Sequence, residues 1–345
     1  MTELQPVITS VGGYTPLHRV SNQELITTTG IDSTPEWITE RTGIETRYMA
    51  GPGETTAQMA TLAATQALQR AGVSKDGIDQ LLLATLTPDR PLPATSIDVH
   101  NKLGLSSACQ SLDIVAACAG SVAALDIAAQ GLQTGRFRRS LIVGAEVMTS
   151  VVDPSNRATS VIFGDGAGAL LVENRQSDIA PVFQSFTVPD EQAIYIPHGG
   201  VVARRQGEDD PEAFIKMDGR TVAKYAKEWL PYCAESLALH AGMVVDGEID
   251  WSGVDTVVFH QANLRLIESA ADALAIPDEK LILTVQEHGN TSAASIPLAI
   301  DTAYKRGQLQ GKQKAMLISI GAGFAVAGGV IGLDLPPRTK AKDVA

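Results

Sequence analysis

Residues 111–120 read SLDIVAACAG, and this stretch decides the fold. Ile114 and Val115 are β-branched and apolar, as at the end of a buried strand. Five small residues follow: Ala116, Ala117, Cys118, Ala119 and Gly120. Ser121 to Leu132 is then rich in Ala and Leu and free of Pro, which favours helix. Strand, cramped turn and helix put Cys118 at or near a helix N-terminus. Free N–H groups and the positive end of the dipole favour a thiolate there. Small neighbours leave the sulfur approachable. Some acyl-transfer enzymes hold their nucleophile in the same strand–nucleophile–helix geometry. The competing reading is a buried structural thiol, because free Cys is among the most buried residue types.

The chain around this stretch has 345 residues, room for two ordinary domains or one large duplicated unit. Its 31 glycines suit an α/β protein with many tight turns. A formal net charge of −12 argues against nucleic acid or an anionic membrane as partner. Three cysteines at unrelated spacings argue against a disulfide framework and suit a reducing, cytoplasmic setting. No C-x-x-C pair occurs, so no structural zinc is expected. The opening MTELQPVITSVGG lacks a basic segment followed by an apolar one, so no signal peptide is read there. The apolar runs are too short or too broken by Gly to span a bilayer.

Outward from Cys118 the chain alternates strands and helices. Strands are expected at Val7–Val11, Leu81–Thr85, Ser140–Val147, Ala167–Val172, Asp255–Phe259, Ile282–Val285, Ala315–Ile320 and Ala325–Leu333. Helices are expected at Asn22–Thr28, Pro35–Arg41, Thr55–Ala71 closed by Gly72, Ile97–Leu103, Leu264–Leu274 and Ser295–Arg306. Another runs from Arg220 to His240, with Pro231 a point where it would kink or divide. Pro88–Pro93 must be a loop, GEDDPE at 207–212 a solvated one, and the tail from Pro336 frayed. The element order repeats. Cys118 and Asn290 are 290 − 118 = 172 apart, and Gly135 and Gly307 are 307 − 135 = 172 apart. That shared offset suggests two copies of one βα unit, divided as residues 1–174 and 175–345.

Three polar positions share one setting. Cys118 opens a helix, His260 ends a strand in VVFHQANLR, and Asn290 sits in HGNTSAAS. Each is expected at the C-terminal end of a strand, where open α/β sheets place ligands. A thiol, an imidazole and a carboxamide suit acyl-thioester chemistry. The thiolate attacks a thioester carbonyl, and N–H groups stabilise the oxyanion or enolate. No carboxylate obviously accompanies them, which argues against a metal site and against a general-base Asp or Glu. Asp89 is the nearest candidate, on a proline-rich loop that gives no reason to aim it at the cysteine. Cys109 and Cys233 lack the strand–turn–helix context and read as structural.

With these residues in place, the chain resembles the β-ketoacyl-[acyl carrier protein] synthase III family of thiolase-fold condensing enzymes. EWITERTGIETR (36–47), DIVAACAG (113–120), IFGDGAGA (162–169), HQANLR (260–265) and GNTSAAS (289–295) carry the resemblance over nearly the whole length. It implies a five-layer αβαβα fold from two duplicated halves and a homodimer. It implies that Cys118 takes an acyl group from acyl-CoA. His260 and Asn290 then assist decarboxylation of a malonyl thioester, supplied on acyl carrier protein. Backbone N–H groups of Cys118 and Gly323 would form the oxyanion hole. Trp37, Arg41 and Arg157 match the residues around the CoA adenine, and Asn263 a contact to the pantetheine arm. Arg265 matches the carrier-protein docking rim, and Leu92 a residue that the dimer partner lends to the acyl pocket. CoA enters as substrate, so no resident cofactor or metal is implied.

The chain departs from the family near its C-terminus, where GAGFAVAGG (321–329) replaces GGGFTWG and Val326 stands for Trp. The loop from Ser185 to Glu212, with Arg204 and Arg205, is also unusual. These departures touch the substrate more than the cysteine chemistry. An alternative is therefore a synthase-III-like acyltransferase or condensing enzyme of specialised metabolism, of polyketide, pyrone or quinolone type. A non-catalytic partner subunit is a third reading, opposed by the presence of Cys118.

Overall fold

The computed structural model describes residues 3–197 and 214–338. Arg204, Arg205 and the acidic run at 207–212 lie outside the described residues, as does the end of the tail beyond 338. The strands of the main sheet are β1 (Glu3–Tyr14), β2 (Gln80–Ala84), β3 (Gln110–Ile114), β4 (Arg139–Glu146), β5 (Gly166–Ser177), β6 (Val182–Thr187), β7 (Thr256–Phe259), β8 (Gly311–Ile320) and β9 (Ala325–Leu335). The principal helices are α1 (Asn22–Thr29), α2 (Pro35–Thr42), α3 (Thr56–Ala71), α4 (Thr95–Leu103), α5 (Gly120–Gln133), α6 (Gly219–His240), α7 (Leu264–Ala273) and α8 (Ser295–Arg306).

Local chemistry sets the helix ends. Thr55 caps α3 by accepting the Gln58 N–H, and Gly72 closes it at φ 63°. Asp113 leaves β3 and accepts the N–H groups of Thr95 and Ser96 at 2.8 and 2.7 Å, so the nucleophile's own strand caps α4. Helix α6 runs on through Pro231 without dividing.

The duplication is visible in strand order. In the first half β1 pairs antiparallel with β5 and β5 antiparallel with β4. Then β4 pairs parallel with β2, and β2 parallel with β3. In the second half β6 pairs antiparallel with β9, and β9 antiparallel with β8. Then β8 pairs parallel with β7, and Val257 of β7 makes a single parallel bridge to Leu281. The sign sequence is the same in both.

The strand expected at Ile282–Val285 does not form: the bridge lies one residue earlier, at Leu281, and Val285–His288 is a helical turn. Gln261 is the physical reason. Its Nε2 donates to the carbonyls of Phe259 and Ile282 at 2.7 and 3.2 Å. Its Oε1 accepts the N–H groups of Thr284 and Val285 at 2.8 and 3.2 Å. One buried carboxamide takes the backbone groups that a ladder would have used.

Alternation along the strands then builds five layers. In β4, Leu141, Val143 and Ala145 face α3, while Ile142 faces α5 and α8. In β8, Met316 and Ile318 face α6 and α7, while Ala315 and Leu317 face α5 and α8. Helices α5 and α8 are thus sandwiched between the two sheet halves, with α3 and α4 outside one and α6 and α7 outside the other. Val7 and Ile8 of β1 also pair with Gly332 and Leu333 of β9, which joins the halves into one sheet.

The repeat register is corrected by the two turns that open α5 and α8. Ala117 and Ser292 both have positive φ, 46° and 49°, and stand 292 − 117 = 175 apart. The helices start at 120 and 295, again 175 apart. The structural mate of Cys118 is therefore Ala293, and Asn290 lies three residues upstream of it. The helices end 306 − 133 = 173 apart, because α5 has 14 residues and α8 has 12, and the extra Thr134 before Gly135 brings the offset to 172 at Gly135 and Gly307 alone.

Candidate active site

The turn that carries the cysteine is held from behind. Ala117–Ala119 form one helical turn between β3 and α5, and Cys118 is half-buried. A Cβ on Gly321 would meet the Ala116 carbonyl at 2.8 Å and the Cys118 nitrogen at 2.9 Å, so only Gly lets the two turns touch. Ser319 Oγ donates to the Cys118 carbonyl at 2.8 Å. Residues from the end of β8 therefore set the cysteine's backbone.

His260 follows β7 and is 5 % exposed. Burial pushes its imidazole down to about 3, so it is neutral. Its Nδ1 lies 2.6 Å from Ser295 Oγ at the start of α8. Asn290 is 6 % exposed. Its backbone is clamped to the IFGDG segment by Asn290 N–H to Ile162 O at 2.9 Å and Gly164 N–H to Asn290 O at 3.0 Å. Its Oδ1 accepts the Ser292 N–H at 2.8 Å, which leaves the Nδ2 protons for the cavity. Arg47 is fully buried behind this loop, where burial lowers it to about 10. It donates to Asn22 Oδ1 and the Val161 carbonyl at 2.9 and 3.0 Å.

These three side chains share one cavity of about 490 Å³. Arg41, Asn263 and Arg265 stand on its wall with them, and Leu230, Ile162 and Phe324 supply apolar surface. Gly323 (φ 70°) lies in the turn Ala322–Phe324, whose two end residues line the cavity. A smaller apolar cavity of about 220 Å³, between Leu25, Met49 and Pro154, shares the Phe163 wall with it.

The electrostatics differ from the sequence expectation in two ways. First, the helix N-terminus does not leave Cys118 as a resting thiolate: burial pushes the thiol up to about 12. Second, a carboxylate does accompany the cysteine. Glu146 ends β4 fully buried, and its charge also raises the thiol. Glu146 itself is raised to about 7 by burial, opposed by its donors. Those donors are Thr87 Oγ1 at 2.6 Å, Thr85 Oγ1 at 3.1 Å and the N–H groups of Leu86 and Thr87 at 3.1 Å. The Ser292 hydroxyl stands near both sulfur and carboxylate and favours the ionised form of each, without a well-aligned bond to either. Asp89 is not at the site: it accepts from Thr55 Oγ1 at 2.8 Å and from the Ala57 N–H at the start of α3.

The remaining residues singled out in the sequence fall into two groups. Arg265 lies at the cavity rim, but its guanidinium is engaged with the Glu40 carbonyl at 2.9 Å, the Thr39 carbonyl at 3.4 Å and Glu268 at 2.9 Å. Asn263 caps α7 through the Arg265 N–H and donates to the Arg41 carbonyl at 3.3 Å. Trp37, Arg157 and Leu92 are off the cavity wall. The Arg157 guanidinium sits on the Trp37 ring, 4.7 Å from its centroid, with Arg41 at 6.0 Å. Arg157 also donates to the Asp32 carbonyl at 2.8 Å. Leu92 is 83 % exposed. Cys109 and Cys233 are buried. Ser292, Ser295, Ser319 and Glu146 escaped the sequence reading. The two serines of GNTSAAS lay inside a quoted motif, but nothing local marks which atom a hydroxyl will meet.

Residues 112–189 match the family 3-Oxoacyl-[acyl-carrier-protein (ACP)] synthase III, and residues 246–333 match the family 3-Oxoacyl-[acyl-carrier-protein (ACP)] synthase III C terminal. The chain is 40% identical over 319 residues to beta-ketoacyl-[acyl-carrier-protein] synthase III of Neisseria meningitidis serogroup A, covering 92% of this chain and 96% of that protein. The crystal structure of 3-oxoacyl-[acyl-carrier-protein] synthase III from Aquifex aeolicus aligns with TM-score 0.83 at 33% identity, over 96% of this chain and 99% of that one. A priming beta-ketosynthase from a polyketide biosynthetic pathway aligns with TM-score 0.87 at 34% identity, over 97% and 98%. Among the described residues no helix is long and apolar enough to cross a membrane. Fold, cavity and kinship agree that this chain belongs to the β-ketoacyl-[acyl-carrier-protein] synthase III family, acyltransferase-type condensing enzymes of the thiolase fold.

Proposed function

We propose that the enzyme catalyses a decarboxylative Claisen condensation of an acyl-CoA with a malonyl thioester carried on acyl carrier protein. The observation behind this is the meeting of Cys118, His260 and Asn290 on one cavity, each from a separate turn. The Cys118 sulfur attacks the acyl-CoA carbonyl, with the oxyanion at the N–H groups of Cys118 and Gly323. CoA leaves with the thiol's proton, and the acyl-enzyme remains. The malonyl thioester then loses carbon dioxide. Its enolate oxygen rests on the neutral N–H donors of His260 and Asn290. The carbanion attacks the acyl carbonyl, the S–C bond to Cys118 breaks with its electron pair going to sulfur, a proton from solvent restores the thiol, and a β-ketoacyl thioester departs.

Trp37, Arg41 and Arg157 recognise the CoA nucleotide, Asn263 the pantetheine arm, and Arg265 the carrier protein. The protein works in the cytoplasm as a homodimer, with Leu92 reaching the partner's acyl pocket. Strand β3 is an open edge whose neighbourhood exposes Leu92, Ile97, Leu112 and Val115, as a second copy would require. The likeness to a polyketide-priming ketosynthase supports a second reading, in which the same cysteine chemistry starts a specialised product.

Intact-protein mass spectrometry after incubation with acyl-CoAs of graded length tests the loading step and names the acyl group. Malonyl-dependent release of carbon dioxide tests the second step. In His260→Ala and Asn290→Ala, loading should persist while carbon dioxide release falls about a hundred- to a thousandfold. Equal loss of both half-reactions contradicts the division of labour. Absence of any mass gain on the wild-type enzyme contradicts the function.

A further inference from the structure

Ser295 opens α8 and is 2 % exposed. Its Oγ meets two groups: His260 Nδ1 at 2.6 Å and the Gln261 backbone N–H at 3.4 Å. Among the described residues that oxygen has no other partner. A hydroxyl holds one proton and two lone pairs, and a backbone N–H can only donate. Gln261 therefore occupies one lone pair of Ser295.

Two arrangements remain for the 2.6 Å contact. With the imidazole proton on Nδ1, the serine oxygen accepts twice. Its own proton is then buried with nothing to receive it, which is costly. With Nδ1 bare, the hydroxyl donates to it, and all three groups are matched. Burial keeps His260 neutral, so it carries a single ring proton and the choice is between two tautomers.

We propose that Ser295 is a positioning residue: it donates to His260 Nδ1 and holds the imidazole as the tautomer whose proton is on Nε2, the nitrogen left for the cavity. The consequence rests on the condensing function proposed above. An Nε2–H is a donor to an enolate oxygen. The other tautomer would present a lone pair to that oxygen and repel it. The backbone contact to Gln261 gives the serine its direction, and Gln261 is itself fixed by bonds of its side chain to four backbone groups.

The test separates tautomer from activity. Long-range proton–nitrogen NMR of enzyme labelled with nitrogen-15 histidine reads the tautomer, and His260→Ala identifies the resonance. The wild type should show Nε2–H. Ser295→Ala should show mixed tautomers and lose about ten- to a hundredfold in malonyl decarboxylation, with acyl loading within about twofold. Ser295→Thr keeps the hydroxyl and should keep both the tautomer and the rate. An Nδ1–H signal in the wild type overturns the proposal, as does an unchanged tautomer in Ser295→Ala. So does a parallel loss of loading and decarboxylation, which would mark Ser295 as merely structural. Absence of malonyl decarboxylation in the wild type would remove the condensing function, while the NMR signal would still decide the tautomer.

Discussion

Cys118 is a thiol at rest, and that has a measurable sign. Its titration is raised to about 12, so across neutral pH the thiolate is a small fraction that grows as protons are removed. Alkylation of Cys118 by iodoacetamide should climb about tenfold per pH unit from about pH 7 to about pH 9, with no neutral plateau. Peptide mapping separates it from the buried Cys109 and Cys233. A plateau near neutrality would restore the thiolate that a helix N-terminus alone suggests. Cys118→Ser should abolish acyl loading, because a serine hydroxyl is far harder to ionise than a thiol and a far weaker nucleophile. The cysteine's setting was legible because five consecutive small residues between strand and helix are a local signal. Its ionisation was not. That depends first on burial in the folded chain, then on Ser292 from the other half of the chain and on Glu146, which the sequence shows only as the end of a strand.

Elements place these residues, and two contacts between elements can be broken singly. Gly144 in the middle of β4 faces the turn Ser292–Ala294, and a Cβ there would lie 2.2 Å from the Ala293 carbonyl oxygen. Gly144→Ala should cost about 1–3 kcal/mol in thermal or denaturant unfolding. Because that turn follows Asn290, carbon dioxide release should suffer beyond the loss of stability. Wild-type stability in Gly144→Ala would mean that the two halves give way more easily than their spacing implies. On α2, the Arg157 guanidinium lies 4.7 Å from the Trp37 ring centroid, so a planar base could enter between the two only if the guanidinium moved. Arg157→Ala should raise KM for acyl-CoA more than it lowers kcat, and should leave an acyl-pantetheine lacking the nucleotide unaffected. Equal losses on both donors would remove the nucleotide from its role. Helix bounds such as Thr55 to Gly72 were legible because caps are local. The apolar ILTV at 282–285 reads as a strand, and only the folded chain shows Gln261 taking its backbone groups.

The whole molecule is two like halves closed on one pair of central helices. The alternation of strands and helices discloses that duplication, while a coincidence of 172 residues misplaces its register by three. The open edge at β3 predicts the assembly. Wild-type protein should run as a dimer in light scattering, and Leu112→Lys with Val115→Lys should run as a monomer, since unpaired charges on a strand edge oppose pairing. A monomeric wild type would sink that prediction. One last consequence lies in how late the nucleophile's support arrives. The turn around Cys118 is braced by Ser319 and by the bare α-carbon of Gly321, some two hundred residues downstream. Translation therefore delivers the sulfur long before it delivers the floor beneath it. A polypeptide still on the ribosome, or one released early by a premature stop, has the reactive atom but no chamber to hold an acyl chain.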